Sequence, residues 1–127
     1  MARLEHVNIT VEDPDKTAEI LCGLFGWRVR WTGNAIHGGR TVHVGSDDDY
    51  VALYTGPNED RQVAADTSYL QRAGLNHIGV VFQDLEKTQK AVEALGYKPH
   101  SHADYEPGKR FYFSEENGLE IEVVCYA

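Results

Sequence analysis

Hydrophobic and polar residues follow the same order in the two halves of the chain. In the first half, alternation over residues 4–11 predicts a strand. Asp13 then provides a helix N-cap with Pro14 at the first helical position, and hydrophobic residues recur every three or four positions up to Gly26. The second half repeats this order, with Asp84 as its cap. The pattern predicts one strand followed by one amphipathic helix in each half.

Three short hydrophobic runs follow each helix and predict three further strands. They cover residues 27–32, 40–44 and 50–55 in the first half, and residues 97–102, 110–114 and 119–125 in the second. The intervening turns are glycine-rich or acidic, at Gly38-Gly39, Asp47-Asp48-Asp49, Pro107-Gly108 and Asn117-Gly118. The predicted fold class is therefore α+β, with two βαβββ modules whose mixed four-stranded sheets each carry a helix on one face.

The expected module boundaries are residues 1–55 and 75–127, joined by a polar linker at residues 56–74. A short helix is predicted near residues 67–72 of that linker. We expect the two modules to form one structural domain, because neither is long enough to bury a large core alone.

Individual residues also repeat between the modules. Leu4-Glu5-His6-Val7 returns as Leu75-Asn76-His77-Ile78. Further matched pairs are Asp13 and Asp84, Lys16 and Lys87, Thr17 and Thr88, Leu24 and Leu95 and, after one inserted residue, Gly26 and Gly96, Gly38 and Gly108, and Arg40 and Arg110. Repetition of this kind indicates two copies of one unit related by a pseudo-twofold axis.

The repeat singles out a possible set of metal ligands. His6 and His77 occupy one repeat position, and an offset of 70 residues pairs Glu122 with Ala52. Two imidazoles and one carboxylate leave coordination positions open for water, substrate or dioxygen, as in non-haem Fe(II) oxygenases, and Mn(II) or Zn(II) also accept such ligands. Glu120 lies on the same side of its strand, so a slip of two residues would exchange it with Glu122.

Four other side chains are candidates for contact with a substrate or a proton. Tyr50 and Tyr54 lie on the same side of their strand as Ala52. His43 lies on the preceding strand, and we expect it to line the cavity of a cup that the sheets of the two modules form together. We interpret these three residues as substrate-binding. Tyr112 is the candidate catalytic residue, although an aromatic core role explains it equally well.

Composition narrows the classes of partner. The chain has 127 residues, 42% of them hydrophobic, and a net charge of -8, which argues against nucleic acid. It contains no run as long and apolar as a membrane helix and no signal-like N-terminal stretch. Its two cysteines, Cys22 and Cys125, have no metal-type spacing. A cytoplasmic protein that binds a small molecule, without nucleic acid or membrane, is therefore expected.

The chain resembles the vicinal oxygen chelate superfamily, which includes glyoxalase I, extradiol dioxygenases, fosfomycin-resistance thiol transferases and bleomycin-binding proteins. The resemblance rests on the Leu-x-His segment at the start of each module and on the capped helices. It also rests on the aromatic run Phe111-Tyr112-Phe113, which is followed by the turn Glu115-Glu116-Asn117-Gly118 and then by Glu122. It implies a divalent metal at His6, His77 and Glu122, with Fe(II) or Mn(II) favoured and Zn(II) or Ni(II) as alternatives.

Departures from the family pattern favour some of its activities over others. Glyoxalase I-like members supply a second glutamate where this chain has Ala52, so isomerase activity of that kind is disfavoured. Extradiol ring cleavage of a substrate with vicinal oxygens is the leading expectation, followed by lyase or isomerase chemistry. The alternative is a non-enzymatic protein that binds a bleomycin-like antibiotic or metabolite through aromatic residues such as Trp27 and Trp31.

We also expect a homodimer, because two short modules would otherwise leave sheet edges exposed. The sequence leaves open whether the cavity closes within one chain or across two.

Overall fold

A computed structural model describes residues 1–35, 38–57, 62–65, 67–105 and 108–126. The chain divides into two compact units, residues 1–62 (unit 1) and 63–127 (unit 2). Unit 1 contains β1 (His6–Thr10), α1 (Pro14–Phe25), β2 (Arg28–Asn34), β3 (Arg40–Gly45) and β4 (Tyr50–Thr55). Unit 2 contains β5 (Ile78–Val81), α2 (Leu85–Ala94), β6 (His100–Tyr105), β7 (Gly108–Ser114) and β8 (Glu120–Cys125).

The segment before β5 contains one turn of 3-10 helix at Ser68–Leu70, within the range where a short helix is predicted. Residues 58–61 and 66 of the predicted linker, and Pro107 of a predicted turn, lie outside the described residues.

Each unit contains one mixed sheet of four strands with the same topology. The order is β1-β4-β3-β2 in unit 1 and β5-β8-β7-β6 in unit 2. In both sheets the opening strand runs parallel to the last strand, and the other neighbours are antiparallel. The predicted α+β class with two βαβββ modules is confirmed.

The helices begin at the predicted caps. The Asp13 carboxylate accepts a hydrogen bond from the backbone N–H of Lys16 at 3.3 Å, and Asp84 accepts one from Lys87 at 3.0 Å. Gly26 ends α1 in the left-handed conformation, where its N–H donates to the Cys22 carbonyl. Among the described residues, neither helix is long and apolar enough to cross a membrane.

Strand alternation divides each sheet into a buried hydrophobic face and a face that carries polar groups. The residues of the hydrophobic faces are at most 6% exposed; they are Val42, Val44, Val51 and Leu53 in unit 1, and Phe111, Phe113, Ile121 and Val123 in unit 2. The intervening positions include the candidate site residues His43, Ala52, Tyr112 and Glu122.

Three local expectations are corrected. β6 begins at His100, three residues later than predicted, because Pro99 has no N–H for a ladder and the N–H of Tyr97 bonds back to the Val92 carbonyl. His77 lies one residue before β5 and not within it. Leu95, which its repeat relation to Leu24 predicts on the buried face of the second helix, is 47% exposed after the helix end.

A buried glutamate stabilises the turn between β7 and β8. Glu115 is 4% exposed, and its carboxylate accepts hydrogen bonds from the backbone N–H groups of Asn117 and Leu119, at 2.9 and 3.0 Å, and from the Asn117 side chain at 2.8 Å. A carboxylate can accept all three bonds at once. This turn leads directly into the strand that carries Glu122.

We therefore expect Glu115→Ala to lower the free energy of unfolding by about 2 kcal/mol, because three donors lose their acceptor. Urea denaturation checks this value, with the exposed neighbour Glu116 changed to alanine as the control. Equal urea midpoints for the two variants would contradict the assignment.

Candidate metal centre

Two of the predicted ligands meet in unit 2. His77 Nε2 lies 3.2 Å from Glu122 Oε1. The other oxygen of this carboxylate, Oε2, accepts a hydrogen bond from Arg110 Nη1 at 2.9 Å. The side chains of Glu122 and Arg110 are each 12% exposed, so the pair is largely shielded from water. The Glu122 carboxylate is thus fixed on one side by Arg110 and faces His77 on the other.

Tyr69 and Glu120 determine which nitrogen of His77 is available as a ligand. The Tyr69 hydroxyl donates to Glu120 Oε1 at 3.2 Å and lies 3.3 Å from His77 Nδ1. Partial desolvation and the bond to Glu120 raise the pKa of the Tyr69 phenol, so it keeps its single proton. Because that proton goes to Glu120, the hydroxyl can only accept from Nδ1–H of His77. A neutral His77 therefore has its lone pair on Nε2.

The close approach of His77 to Glu122 requires a positive charge. A neutral Nε2 and a carboxylate oxygen are both acceptors, so their approach to 3.2 Å is favourable only with a proton or a metal ion between them. Two ligand atoms that share one metal at bond lengths of about 2.1 Å and angles of about 90–110° lie about 3.0–3.4 Å apart. The observed separation therefore fits a metal as well as a proton.

His6 in unit 1 is oriented in a related way. Its Nδ1 lies 2.8 Å from Glu5 Oε1, and the Tyr50 hydroxyl donates to the same oxygen at 3.3 Å. The bond from His6 lowers the pKa of the Glu5 carboxyl. Since an ionised carboxylate only accepts, Nδ1 of His6 is the donor and Nε2 carries the lone pair when the ring is neutral. In both units a carboxylate thus orients Nδ1 of the histidine. Glu5 does so directly in unit 1, and Glu120 does so through the Tyr69 hydroxyl in unit 2.

His43 lies directly across the antiparallel pair from Ala52, as Tyr112 lies across from Glu122. Ala52, the position equivalent to Glu122, is 2% exposed. Burial lowers the pKa of His43, and the positive charges of His6 and Arg30 lower it further, while Glu5 acts in the opposite direction. His43 therefore offers a neutral imidazole beside the position that lacks a carboxylate.

The structure also places Tyr112 and Tyr54 relative to these groups. The Tyr112 ring meets the His77 ring edge-on, with centroids 5.4 Å apart, so this candidate catalytic tyrosine contacts a candidate ligand. Tyr54 is half-buried and pairs with Thr10 across the parallel ladder, two residues along the strand from Ala52. It contacts none of the metal-ligand candidates in the interactions that the structure describes.

Four rings follow one another across the sheet of unit 1. Centroid distances are 5.0 Å from Trp31 to His43, 4.5 Å from His43 to Tyr50, and 4.8 Å from Tyr50 to His6. We call these four residues the aromatic row. The ring of Trp27, which is expected from the sequence to help bind a flat ligand, contacts Phe25 at the end of α1, with centroids 5.2 Å apart.

The candidate ligands are divided between the two units. His77 and Glu122 belong to unit 2, and His6 belongs to unit 1. Within the described ranges, three or more histidine, cysteine, aspartate or glutamate side chains do not converge as a metal cluster would require. The structure thus brings together two of the three predicted ligands.

Several site residues were not identified from the sequence. In the sequence Arg110 stands out only as the repeat partner of Arg40, and its bond to Glu122 depends on the register of β7 against β8. Glu5 stands next to His6, which was an available signal. Tyr69 comes from the irregular linker, whose path has no periodic signal.

A family model decides the classification of the chain. The model of the Glyoxalase/Bleomycin resistance protein/Dioxygenase superfamily matches residues 3–123. The chain belongs to this superfamily. Members of the glyoxalase/bleomycin resistance/dioxygenase superfamily are therefore the appropriate reference for its fold, and the resemblance seen in the sequence is confirmed. No curated protein sequence matches the chain.

Solved structures share the glyoxalase-like fold at low sequence identity. A glyoxylase/bleomycin resistance protein/dioxygenase domain from Frankia sp. EAN1pec is 15% identical, with a TM-score of 0.81, covering 100% of this chain and 99% of its own. The fosfomycin resistance protein FosX from Mesorhizobium loti is 21% identical, with a TM-score of 0.72 and coverages of 98% and 91%.

A variant of FosX from Listeria monocytogenes, complexed with Mn(II) and 1S,2S-dihydroxypropylphosphonic acid, is 17% identical, with a TM-score of 0.72 and coverages of 98% and 90%. At these identities the likeness shows the fold alone.

Proposed function

We propose that the protein is a divalent-metal-dependent enzyme that acts on a small substrate with vicinal oxygens. The observation that carries the proposal is the approach of His77 Nε2 to Glu122 Oε1 at 3.2 Å. Tyr69 and Arg110 bind the opposite ends of this pair, so Nε2 of a neutral His77 and Oε1 of Glu122 each keep a lone pair for a metal ion. A divalent cation satisfies both lone pairs, and cations of this kind are bound by imidazole and carboxylate groups.

We assign His6 as the third ligand. It occupies the repeat position of His77, and the Glu5 carboxylate leaves its Nε2 lone pair free. His6 belongs to unit 1, whereas His77 and Glu122 belong to unit 2, so the site forms either between the two units of one chain or between units of two chains. Bound through these residues, a divalent metal polarises the oxygens of a substrate and keeps positions open for it.

The surrounding residues have separate parts in this proposal. Arg110 holds Glu122 by one oxygen, which leaves the other for the metal. Tyr112, in contact with His77, is the candidate to give or take a proton. Contact with the substrate is assigned to three further side chains. His43 and Tyr50 belong to the aromatic row, and Tyr54 lies on the same strand as Tyr50.

Within this class, extradiol ring cleavage is the leading reaction, followed by lyase or isomerase chemistry. A set of two histidines and one glutamate suits Fe(II) or Mn(II), with Zn(II) or Ni(II) as alternatives. The FosX variant described above holds Mn(II) together with a vicinal diol, which supports this combination of metal and substrate type. The aromatic row supports a planar substrate.

The reaction is tested with catechol, a planar vicinal diol, and protein loaded anaerobically with Fe(II) or Mn(II). We expect oxygen consumption and a new absorbance band from the ring-opened product after air is admitted. His77→Ala should abolish both signals. Oxygen uptake that is equal in the parent and His77→Ala would contradict an enzymatic reaction at this site.

The second candidate function is sequestration of a flat molecule, such as a bleomycin-like antibiotic, and the aromatic row is the observation that favours it. Capture of this kind needs no metal. If it is the function, catechol-type ligands bind with the same affinity in the presence of EDTA as with metal. The metalloenzyme proposal instead predicts that EDTA weakens binding at least about tenfold, because the metal supplies direct bonds to the ligand.

Tyr69→Phe should weaken metal binding about ten- to a hundredfold, because it removes the hydroxyl that fixes the orientation of His77. Titration of the metal-free protein with Mn(II) measures this change. Tyr126→Phe is the control, because Tyr126 is an exposed tyrosine at the end of the described residues, and this variant should bind metal as the parent does. A Tyr69→Phe affinity equal to that of the control would exclude this orienting role.

We further propose a cytoplasmic homodimer. The two cysteines are free thiols, as expected in a reducing compartment. Gel filtration should give about twice the mass of the chain, because exposed sheet edges favour pairing of two copies. Elution at the monomer mass over a range of concentrations would exclude the dimer.

A further inference from the structure

A bulge in β2 places two side chains beside the aromatic row. Val29 pairs with Val44 and Trp31 pairs with His43, so Arg30 is the extra residue between them. In a bulge of this kind two residues oppose one residue of the partner strand. Arg30 and Trp31 are therefore both presented near His43, where a regular strand would place only one of them.

The Trp31 indole lies along the strand over Gly33. A Cβ at Gly33 would stand 2.6 Å from Cζ2 and Cη2 of the indole, so any side chain there would displace the ring. Trp31 is 50% exposed and is the outermost member of the aromatic row. Gly33 thus allows a large aromatic surface to remain flat and open to a ligand.

Arg30 supplies a positive charge at the same place. Its guanidinium lies over the Tyr50 ring, with Cζ 4.6 Å from the ring centroid. Its Nη1 is enclosed by protein atoms and has no hydrogen-bond partner among the described residues. An enclosed N–H group without an acceptor is unfavourable, and a small displacement of the guanidinium toward a ligand acceptor would satisfy it.

The acidic groups near Arg30 are already bound to other side chains. Asp47 accepts a hydrogen bond from Arg28 at 2.7 Å, and Glu5 accepts from His6 at 2.8 Å. Both carboxylates lie close enough to Arg30 to interact with its charge. Neither of them accepts a hydrogen bond from Arg30 in the structure described. The planar fork of the guanidinium thus remains suited to the carboxylate of a ligand.

We propose that Arg30 and the aromatic row form a binding site for an aromatic carboxylate. The ring of the ligand would stack on Trp31 and His43, and its carboxylate would accept hydrogen bonds from Arg30. This inference rests on the proposed function, since His6, the assigned metal ligand of unit 1, ends the same aromatic row. It names the substrate class more narrowly, as a planar vicinal diol that also carries a carboxylate.

Two probes that differ only in the carboxylate test this site, namely 3,4-dihydroxybenzoate and catechol. Their dissociation constants are measured anaerobically with Mn(II)-loaded protein and again in EDTA, at 0.15 M salt, by quenching of tryptophan fluorescence or by calorimetry. The parent should bind dihydroxybenzoate about ten- to a hundredfold more tightly than catechol, as expected for hydrogen bonds to a charged group. The ratio of the two constants is the readout, because it is independent of the metal contribution that both probes share.

Arg30→Gln should reduce this ratio to about one while leaving catechol binding within about twofold of the parent, and Arg30→Lys should retain part of the preference. Arg28→Gln, on the same strand but paired with Asp47, is the matched control and should keep the parental ratio. A parent with no preference for the carboxylate, or with no measurable binding of dihydroxybenzoate, would overturn the proposal. So would an unchanged ratio in Arg30→Gln.

The two proposals fail in different ways. If Mn(II) has no effect on either probe but Arg30→Gln still removes the carboxylate preference, the metalloenzyme is wrong and the Arg30 site stands. If metal tightens the binding of both probes and the Arg30→Gln ratio stays parental, the Arg30 site is wrong and the metal centre stands.

Discussion

Arg110→Met is expected to lower the free energy of unfolding by about 3–5 kcal/mol, because it leaves the Glu122 carboxylate shielded from water without its cationic partner. The two side chains are joined by the 2.9 Å bond from Nη1 to Oε2 and are each only 12% exposed. Urea denaturation of metal-free protein, followed by far-ultraviolet circular dichroism, measures the change. Arg110→Lys keeps the charge but loses the planar fork, so an intermediate loss is expected.

Two further variants show whether the ion pair is the cause. Arg110→Met combined with Glu122→Leu should recover most of the lost stability, because it removes the shielded charge as well as its partner. Arg28→Met breaks the ion pair between Arg28 and Asp47, whose side chains are 61% and 85% exposed, respectively. This variant should lower the free energy of unfolding by less than about 1 kcal/mol. A double variant that is less stable than Arg110→Met alone would contradict this account.

Glu122→Gln is expected to weaken binding of Mn(II) by more than about a hundredfold, because a neutral amide replaces a charged ligand. Glu120→Gln should weaken it by about tenfold or less, since Glu120 acts on His77 only through the Tyr69 hydroxyl. Calorimetric titration of the metal-free proteins compares the two. The pair of variants addresses the choice between Glu120 and Glu122 that the sequence left open.

A larger loss in Glu120→Gln than in Glu122→Gln would exchange their roles and contradict the assignment. Thermal denaturation provides a separate check on folding. Both variants should unfold cooperatively when metal-free, so that a loss of affinity is not confused with a loss of structure. Added Mn(II) should raise the melting temperature of Glu120→Gln more than that of Glu122→Gln, because stabilisation by a ligand follows its affinity.

The sequence predicts the fold well because each module encodes its elements locally. Asp13 and Asp84 cap the helices where the pattern places them, and alternation identifies the strands that bury Phe111 and Val123. The start of β6 was misplaced because the hydrophobic run beginning at Tyr97 resembles a strand. The backbone N–H of Tyr97 instead bonds back to the Val92 carbonyl at the helix C-terminus, and the strand begins only after Pro99.

The site was less accessible to sequence analysis because its contacts depend on long-range register. The repeat identifies His6, His77 and Glu122 as a set, but it has no information on the partners that orient them. The contact between Arg110 and Glu122 needs the pairing of β7 with β8, and Tyr69 reaches His77 from an irregular segment. The bulge that presents Arg30 appears only when β2 is paired with β3.

The most direct test of the central claim is elemental analysis of protein purified without an affinity tag, together with His6→Ala and Glu122→Ala. The account predicts about one divalent metal per parent chain and little in either variant, since each variant lacks one of three ligands. The element found would also indicate whether oxygenase or Lewis-acid chemistry operates. A parent that stays metal-free after anaerobic loading with Fe(II), Mn(II) and Zn(II) would contradict the metalloenzyme and favour capture of an aromatic ligand.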